Sequence, residues 1–189
     1  LKSDFPLSPA MLEELFALWE LDPHPDSPAG PCSLECLLEQ VVDQNSLRVP
    51  IPRLIVPSEK FTLKCDREKL QTVFGHLVQN AQEASDKDGS VVIRLLLDEG
   101  SAIVEIEDHG TGMDEHFVRN RLFKPFDSTK GLTGMGIGAF ESRDFIRSLG
   151  GNISVQSTVG RGSTFRVFIP CDVNGLNRYP TISSKVSYP

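Results

Sequence analysis

No stretch of this chain stays apolar for the roughly 20 residues that a bilayer crossing needs, and no secretory signal opens it. These residues therefore supply no membrane-spanning helix. An excess of positive charge is also missing: 19 Lys and Arg stand against 26 Asp and Glu, for a net charge of −7. A surface that tracks a nucleic-acid backbone needs a basic stripe, and this balance argues against one. The four cysteines, at 32, 36, 65 and 171, form no Cys-x-x-Cys pair. Cys32 and Cys36 are one helical turn apart, which is the spacing a redox or metal pair would use; the plainer reading, reduced thiols packed in a cytosolic protein, assigns no metal to them. An initiating methionine is absent too. The chain opens on Leu1, which reads as a piece of something longer, and the spans of a membrane-receptor parent would lie outside it.

What is present is enough for one substantial core with a small appendage: 189 residues, 39% of them hydrophobic. Residues 11–19 place Leu12, Leu15, Phe16 and Trp19 on one helical face, and the proline-dense run 22–31 reads as a linker. This helix is either the stub of a preceding helical domain or a helix packed on the domain surface. A main domain is expected over 32–170, with a polar tail over 171–189.

Within that domain Ser33 caps a helix over 33–44, and Asp66 caps a longer one reaching about residue 85. Short β-rich runs fall at 53–56 and 61–65. Hairpins are expected over 90–107 and 152–169, turning at residues 98–101 and 158–162. A third helix runs from Gly138 to about Leu149. The stretch 109–138 shows little periodicity and reads as a long functional segment such as a lid. Hairpins plus three helices predict an α+β fold, a two-layer sandwich with a mixed, mostly antiparallel sheet and helices on one face.

Two glycine-dense runs carry the chemistry. Asp108-His-Gly-Thr-Gly-Met113 sets a carboxylate in a loop whose glycines allow close backbone approach, and such a carboxylate can accept from an exocyclic amine. Gly134-Met-Gly-Ile-Gly138 leads into a helix and offers backbone N–H groups to phosphates. Together the two runs suit a nucleotide, held at its adenine end by one and at its phosphates by the other.

Four blocks in order, His76-Leu-Val-Gln-Asn-Ala-Gln-Glu-Ala84, Asp108-His-Gly-Thr-Gly112, Leu122-Phe-Lys-Pro-Phe126 and Gly134 to Gly138, resemble the ATP-binding domain shared by bacterial histidine kinases, gyrase, Hsp90 and MutL proteins. The likeness covers about residues 32–170. The closing run from Gly150 to Pro170 looks specifically like a histidine kinase. Residues 121–141 also resemble the PrsK kinases associated with exosortase (PEP-CTERM) systems.

The resemblance implies a Bergerat-type ATP-binding fold, with ATP and Mg²⁺ as ligands. Asn80 would be the Mg²⁺ ligand, one turn after His76 on the same helix face, and Asp108 would accept from the adenine amine above Gly110 and Gly112. Lys130 is the first choice for a charge on the phosphates, beside the amides of Gly134, Gly136 and Gly138. Thr164 would match the family's Gly-Thr element near the adenine, and Phe123 and Phe126 would anchor the lid. His76 stands where relatives carry a glutamate or asparagine; it reads either as a group that orients water or as an outer partner of the hydrated magnesium. Glu83 replaces a phosphate-binding lysine of some relatives, shifting that burden to Lys130, Lys124, Arg119 or Arg121. His109 and His116 read as exposed histidines.

None of His24, His76, His109 and His116 has the setting of a phosphoacceptor, and His24 lies between two prolines. The resemblance therefore implies a catalytic half that transfers the γ-phosphoryl of ATP to a histidine in a helical dimerisation domain elsewhere in the receptor, with a response regulator downstream. It implies a cytoplasmic domain of an inner-membrane-bound receptor, without nucleic acid or membrane contact of its own. The alternatives are an ATP-hydrolysing clamp protein, a serine kinase of the anti-sigma type, and a nucleotide-sensing module without chemistry.

Overall fold

The computed structural model describes residues 30–57, 62–98, 100–125 and 137–170. The expected helix over 11–19, the tail 171–189 and the lid residues 126–136 lie outside them.

The first layer is helical. Helix α1 (Leu34–Asn45) buries Leu34, Leu37, Leu38 and Val41, a 3–4 spacing that puts all four on one stripe. Its N-cap is the Ser33 hydroxyl, which accepts from the Cys36 amide at 3.4 Å. Helix α2 (Arg67–Ala84) begins at Asp66, whose Oδ1 accepts from the Lys69 amide at 3.1 Å. It buries Leu70, Val73, Phe74, Leu77, Val78 and Ala81. Each large side chain so buried contributes on the order of 1.5–3 kcal/mol. Helix α4 (Gly138–Ser148) adds Ile146 to the same core, following a short helix α3 (Glu115–Asn120).

Strands β2 (Arg53–Ile55), β4 (Val91–Asp98), β5 (Ser101–Asp108), β6 (Asn152–Thr158) and β7 (Gly162–Pro170) form one sheet in the order β2-β4-β5-β7-β6. β2 is parallel to β4 and every other pair is antiparallel. The alternation is regular: Val91, Ile93 and Leu95 lie opposite Asp108, Ile106 and Val104, all buried under the helices. Val92, Arg94 and Leu96 lie opposite Glu107, Glu105 and Ile103 on the uncovered face. The expected α+β sandwich with a mixed sheet is the observed one.

Two features depart from the expectation. Strands β1 (Gly30–Ser33) and β3 (Thr62–Cys65) pair with each other in a separate two-stranded sheet, so β1 takes in Gly30 and Pro31, which the proline pattern assigns to the linker. The stretch 109–138 is not structureless throughout, because α3 forms within it. Its N-cap, Asp114, accepts from the Phe117 amide at 2.8 Å.

The β1–β3 ribbon also settles the cysteine spacing. Cys32 is a buried strand residue and Cys36 an exposed helix residue, so the helical-turn relation between them does not hold. Burial, helped by the neighbouring Cys32, pushes the Cys65 thiol up to about 12, and Cys32 is raised by burial as well. Both are packed, protonated thiols.

Candidate nucleotide site

Asp108 is the last residue of β5 and only 3% exposed. One carboxylate oxygen accepts from the Gly110 amide at 2.9 Å, and the backbone and hydroxyl of Ser163 also donate to the carboxylate. Burial raises its pKa above the ordinary carboxylate value, and these hydrogen bonds oppose the shift without cancelling it. A buried carboxylate with acceptor capacity left over is suited to an amine of a ligand.

The loop after Asp108 is wedged between two elements. On one side the Thr111 amide donates to the Ala84 carbonyl, the last residue of α2, at 2.9 Å. A Cβ at position 110 would overlap that same carbonyl, which is why Gly110 is glycine. On the other side the Gly160 amide donates to the Thr111 carbonyl at 2.7 Å, tying in the β6–β7 turn. Gly112 has φ +64°, and a side chain there would meet the Thr158 carbonyl.

Two serines that sequence reasoning passed over join this wedge. Ser163 sits directly opposite Asp108 in the β5–β7 register, and it is buried. Its hydroxyl lies 3.0 Å from that of Ser157, which accepts from the Met113 amide at 2.7 Å and donates to the Gly162 carbonyl at 3.0 Å. Thr164, the expected partner of the adenine, pairs with Glu107, one residue out of phase with Asp108, and lines the same cleft as Asp108, Ser157 and Ser163. Matching phases across the hairpin sets position 163 directly beside a carboxylate at 108.

The other end of the site lies along α2. His76, half-buried, stands against Gly138, the first residue of α4: a Cβ there would be 3.3 Å from the ring Nδ1. Asn80, also half-buried, occupies the turn between His76 and Ala84. The eight residue steps from His76 to Ala84 span about 12 Å of helix, which suits a nucleotide laid from base to polyphosphate. At α4 the N-cap position is Ile137, which makes no side-chain capping bond, so the first-turn amides have no side-chain acceptor from their cap. Gly138 thus lies at a helix N-terminus. Lys130, Gly134 and Gly136 fall outside the described residues.

Two of the four cationic candidates are engaged, and Lys124 is exposed. Arg119 pairs with Glu115, and Arg121 stacks over the Phe117 ring with 5.4 Å to its centroid. Glu83 faces away from the wedge, taking Arg48 at 2.9 Å and Gln79 at 2.7 Å. Phe123 packs against the core, and Arg143 of α4 lies over its ring at 4.5 Å while Nη2 donates to the Phe123 carbonyl at 3.4 Å. His109 and His116 are exposed. Among the described residues no cluster of three or more His, Cys, Asp or Glu could hold a metal ion.

This geometry agrees with the comparisons. Residues 65–173 match the family described as histidine kinase-, DNA gyrase B-, and HSP90-like ATPases, and the chain belongs to that family. It is 34% identical over 143 residues to the aerobic respiration control sensor protein ArcB of Escherichia coli (strain K12), covering 72% of this chain and 18% of ArcB. The chain thus spans less than a fifth of that relative. Among solved structures, the catalytic domain of the histidine kinase ThkA superposes with a TM-score of 0.66 at 24% identity, covering 75% of this chain and 95% of that one. Full-length ShkA in complex with AMPPNP gives a TM-score of 0.69 at 21% identity, covering 89% and 40%. At these identities both share the fold.

Proposed function

We propose that this chain is the Mg-ATP-binding catalytic domain of a sensor histidine kinase, over residues 32–170, preceded by a helix and linker and followed by a polar tail. The observation that carries the reading is the track along α2, from the buried Asp108 loop at Ala84 to the start of α4 at His76. Asp108 accepts from the adenine amine, with Ser163 and Ser157 fixing the loop. The first-turn amides of α4 receive the phosphates. Asn80 would hold Mg²⁺ through its amide oxygen, and the ion would supply charge neutralisation at the phosphates; a metal that takes few protein ligands fits this single amide.

In the reaction proposed, an imidazole nitrogen of a histidine outside this chain attacks the γ-phosphorus as the bond to the β,γ-bridging oxygen breaks and ADP leaves. The protein contributes alignment and charge stabilisation. The phosphoryl then passes to an aspartate of a response regulator. The same reading places the domain on the cytoplasmic side of a membrane-bound receptor. Within the kinases, the run 121–141 supports the narrower assignment to those associated with exosortase systems.

A second reading is favoured by the position of His76 beside Gly138, where an imidazole nitrogen can orient water for hydrolysis. Incubation with ATP labelled at the γ-phosphate and Mg²⁺ separates the two. The kinase reading expects nucleotide binding with neither steady phosphate release nor label on the chain itself. Steady release abolished by His76→Ala establishes the hydrolase instead.

A further inference from the structure

On the face of the sheet opposite the helices lies a cleft of about 690 Å³, between the loop after α1, the start of β4 and the end of β5. Its rim carries two exposed aliphatic side chains, Val49 at 49% and Ile51 at 60% exposure. Three cationic side chains line it: Arg53, Lys87 and Arg94. The lining carboxylate, Glu107, is already engaged. It pairs with Arg94 and lies 3.4 Å from His109 Nε2, while His109 Nδ1 meets the Ser90 hydroxyl at 3.1 Å. Arg53 and Lys87 have no ion-pair partner among the described residues. A chain of net charge −7 thus keeps a positive surplus at one apolar-rimmed cleft.

The rim is held from below. Gln82 is 2% exposed, and its amide nitrogen donates to the carbonyls of Asn45 at 3.0 Å, Arg48 at 2.8 Å and Pro50 at 3.0 Å. A buried side chain spent on three carbonyls of one loop fixes that loop, so Val49 and Ile51 are presented on a preformed surface. Preorganisation of this kind lowers the ordering cost of binding.

We propose that this cleft docks an acidic segment of a partner protein. A carboxylate of the segment sits between Arg53 and Lys87, and a neighbouring aliphatic or aromatic side chain lies on Val49 and Ile51. Charge complementarity selects an acidic occupant: a purely apolar peptide leaves the two cations unanswered. The cleft adjoins the Asp108 pocket at Glu107 and His109, which line both, but Arg53, Lys87, Val49 and Ile51 are no part of the nucleotide track, and the proposal does not depend on the nucleotide reading.

The test uses the full chain saturated with Mg-ATP, panned against a displayed library of random peptides. The expected result is enrichment of peptides that place Asp or Glu beside Leu, Ile or Phe. The double variant Arg53→Glu, Lys87→Glu should weaken a synthetic peptide of that consensus by at least about 10-fold, and Ile51→Ser should weaken it too, with thermal melting and AMPPNP binding unchanged. Enrichment of peptides without acidic residues, no enrichment at all, or equal binding to the double variant overturns the proposal. A dimer in sedimentation that the double variant abolishes assigns the cleft to a second copy and overturns it as well.

Discussion

Replacing Asp108 by asparagine keeps size and shape, removes the charge of the acceptor and turns one acceptor oxygen into a donor. In the structure the carboxylate is 3% exposed and already accepts from Gly110 and Ser163. The oxygen capacity left for an adenine amine is therefore charged and shielded from water, and a hydrogen bond to such a group contributes about 1.5–3 kcal/mol. Losing it should raise the dissociation constant for AMPPNP about 10- to 150-fold. Base preference should shift as well. GTP presents a carbonyl oxygen where ATP presents an amine; the parent carboxylate repels it, and the asparagine amide can donate to it, so the ATP-over-GTP ratio narrows in the variant. Titration calorimetry with Mg²⁺ and each nucleotide reads both effects. Asp108→Asn binding AMPPNP within two-fold of the parent, with an unchanged preference, would refute the adenine assignment.

The same carboxylate fixes a pH dependence. Its folded pKa is raised above the usual 3.8 by burial. A raised folded pKa gives stability that is present below the unfolded value and is lost as pH rises through the folded one. Without nucleotide, the parent should gain stability relative to Asp108→Asn on acidification towards pH 3.8. Nucleotide affinity should fall over the same window, as the charged acceptor disappears. A stability difference that stays constant with pH contradicts the buried-carboxylate account.

Three further substitutions probe the wedge and its surroundings. Gly112→Ala forces a Cβ at φ +64° against the Thr158 carbonyl and should cost about 1–3 kcal/mol in urea unfolding, with weaker nucleotide binding. Ser157→Ala leaves the Met113 amide and the Gly162 carbonyl without their shared partner; about 1–3 kcal/mol of stability should be lost, and nucleotide affinity should drop several-fold. Arg143→Ala removes the guanidinium stacked on Phe123 and should cost about 0.5–2 kcal/mol, with faster hydrogen exchange at residues 122–124.

Much of this was legible in the sequence, for reasons that also explain the misses. β5 buries every second residue, so the alternation of Ala102, Val104 and Ile106 against Glu105 and Glu107 is written in residue type. α1 and α2 carry caps, Ser33 and Asp66, that the structure uses at the expected positions. β1 was hidden because it has four residues, one of them proline, and pairs only with β3 rather than with the main sheet. α3 was hidden by length, although Asp114 ahead of Glu115 was a cap signal. The candidate Asp108 is close in sequence to glycines that announce its loop. Ser163 and Ser157 are not announced in this way: their place beside the carboxylate follows from register across β5, β7 and β6.

The central claim is that a nucleotide lies along α2, base at the Asp108 loop and phosphates at the start of α4. Backbone amide resonances measured while adenosine, then AMPPNP, then Mg²⁺ are added test it most directly. The account predicts that Gly110, Gly112 and Ser163 respond to adenosine itself, and that Gly138 and Ala139 respond only when phosphates are present. Adenosine shifts absent from the Asp108 loop, or phosphate-dependent shifts gathered at the Arg53–Lys87 cleft, would contradict it.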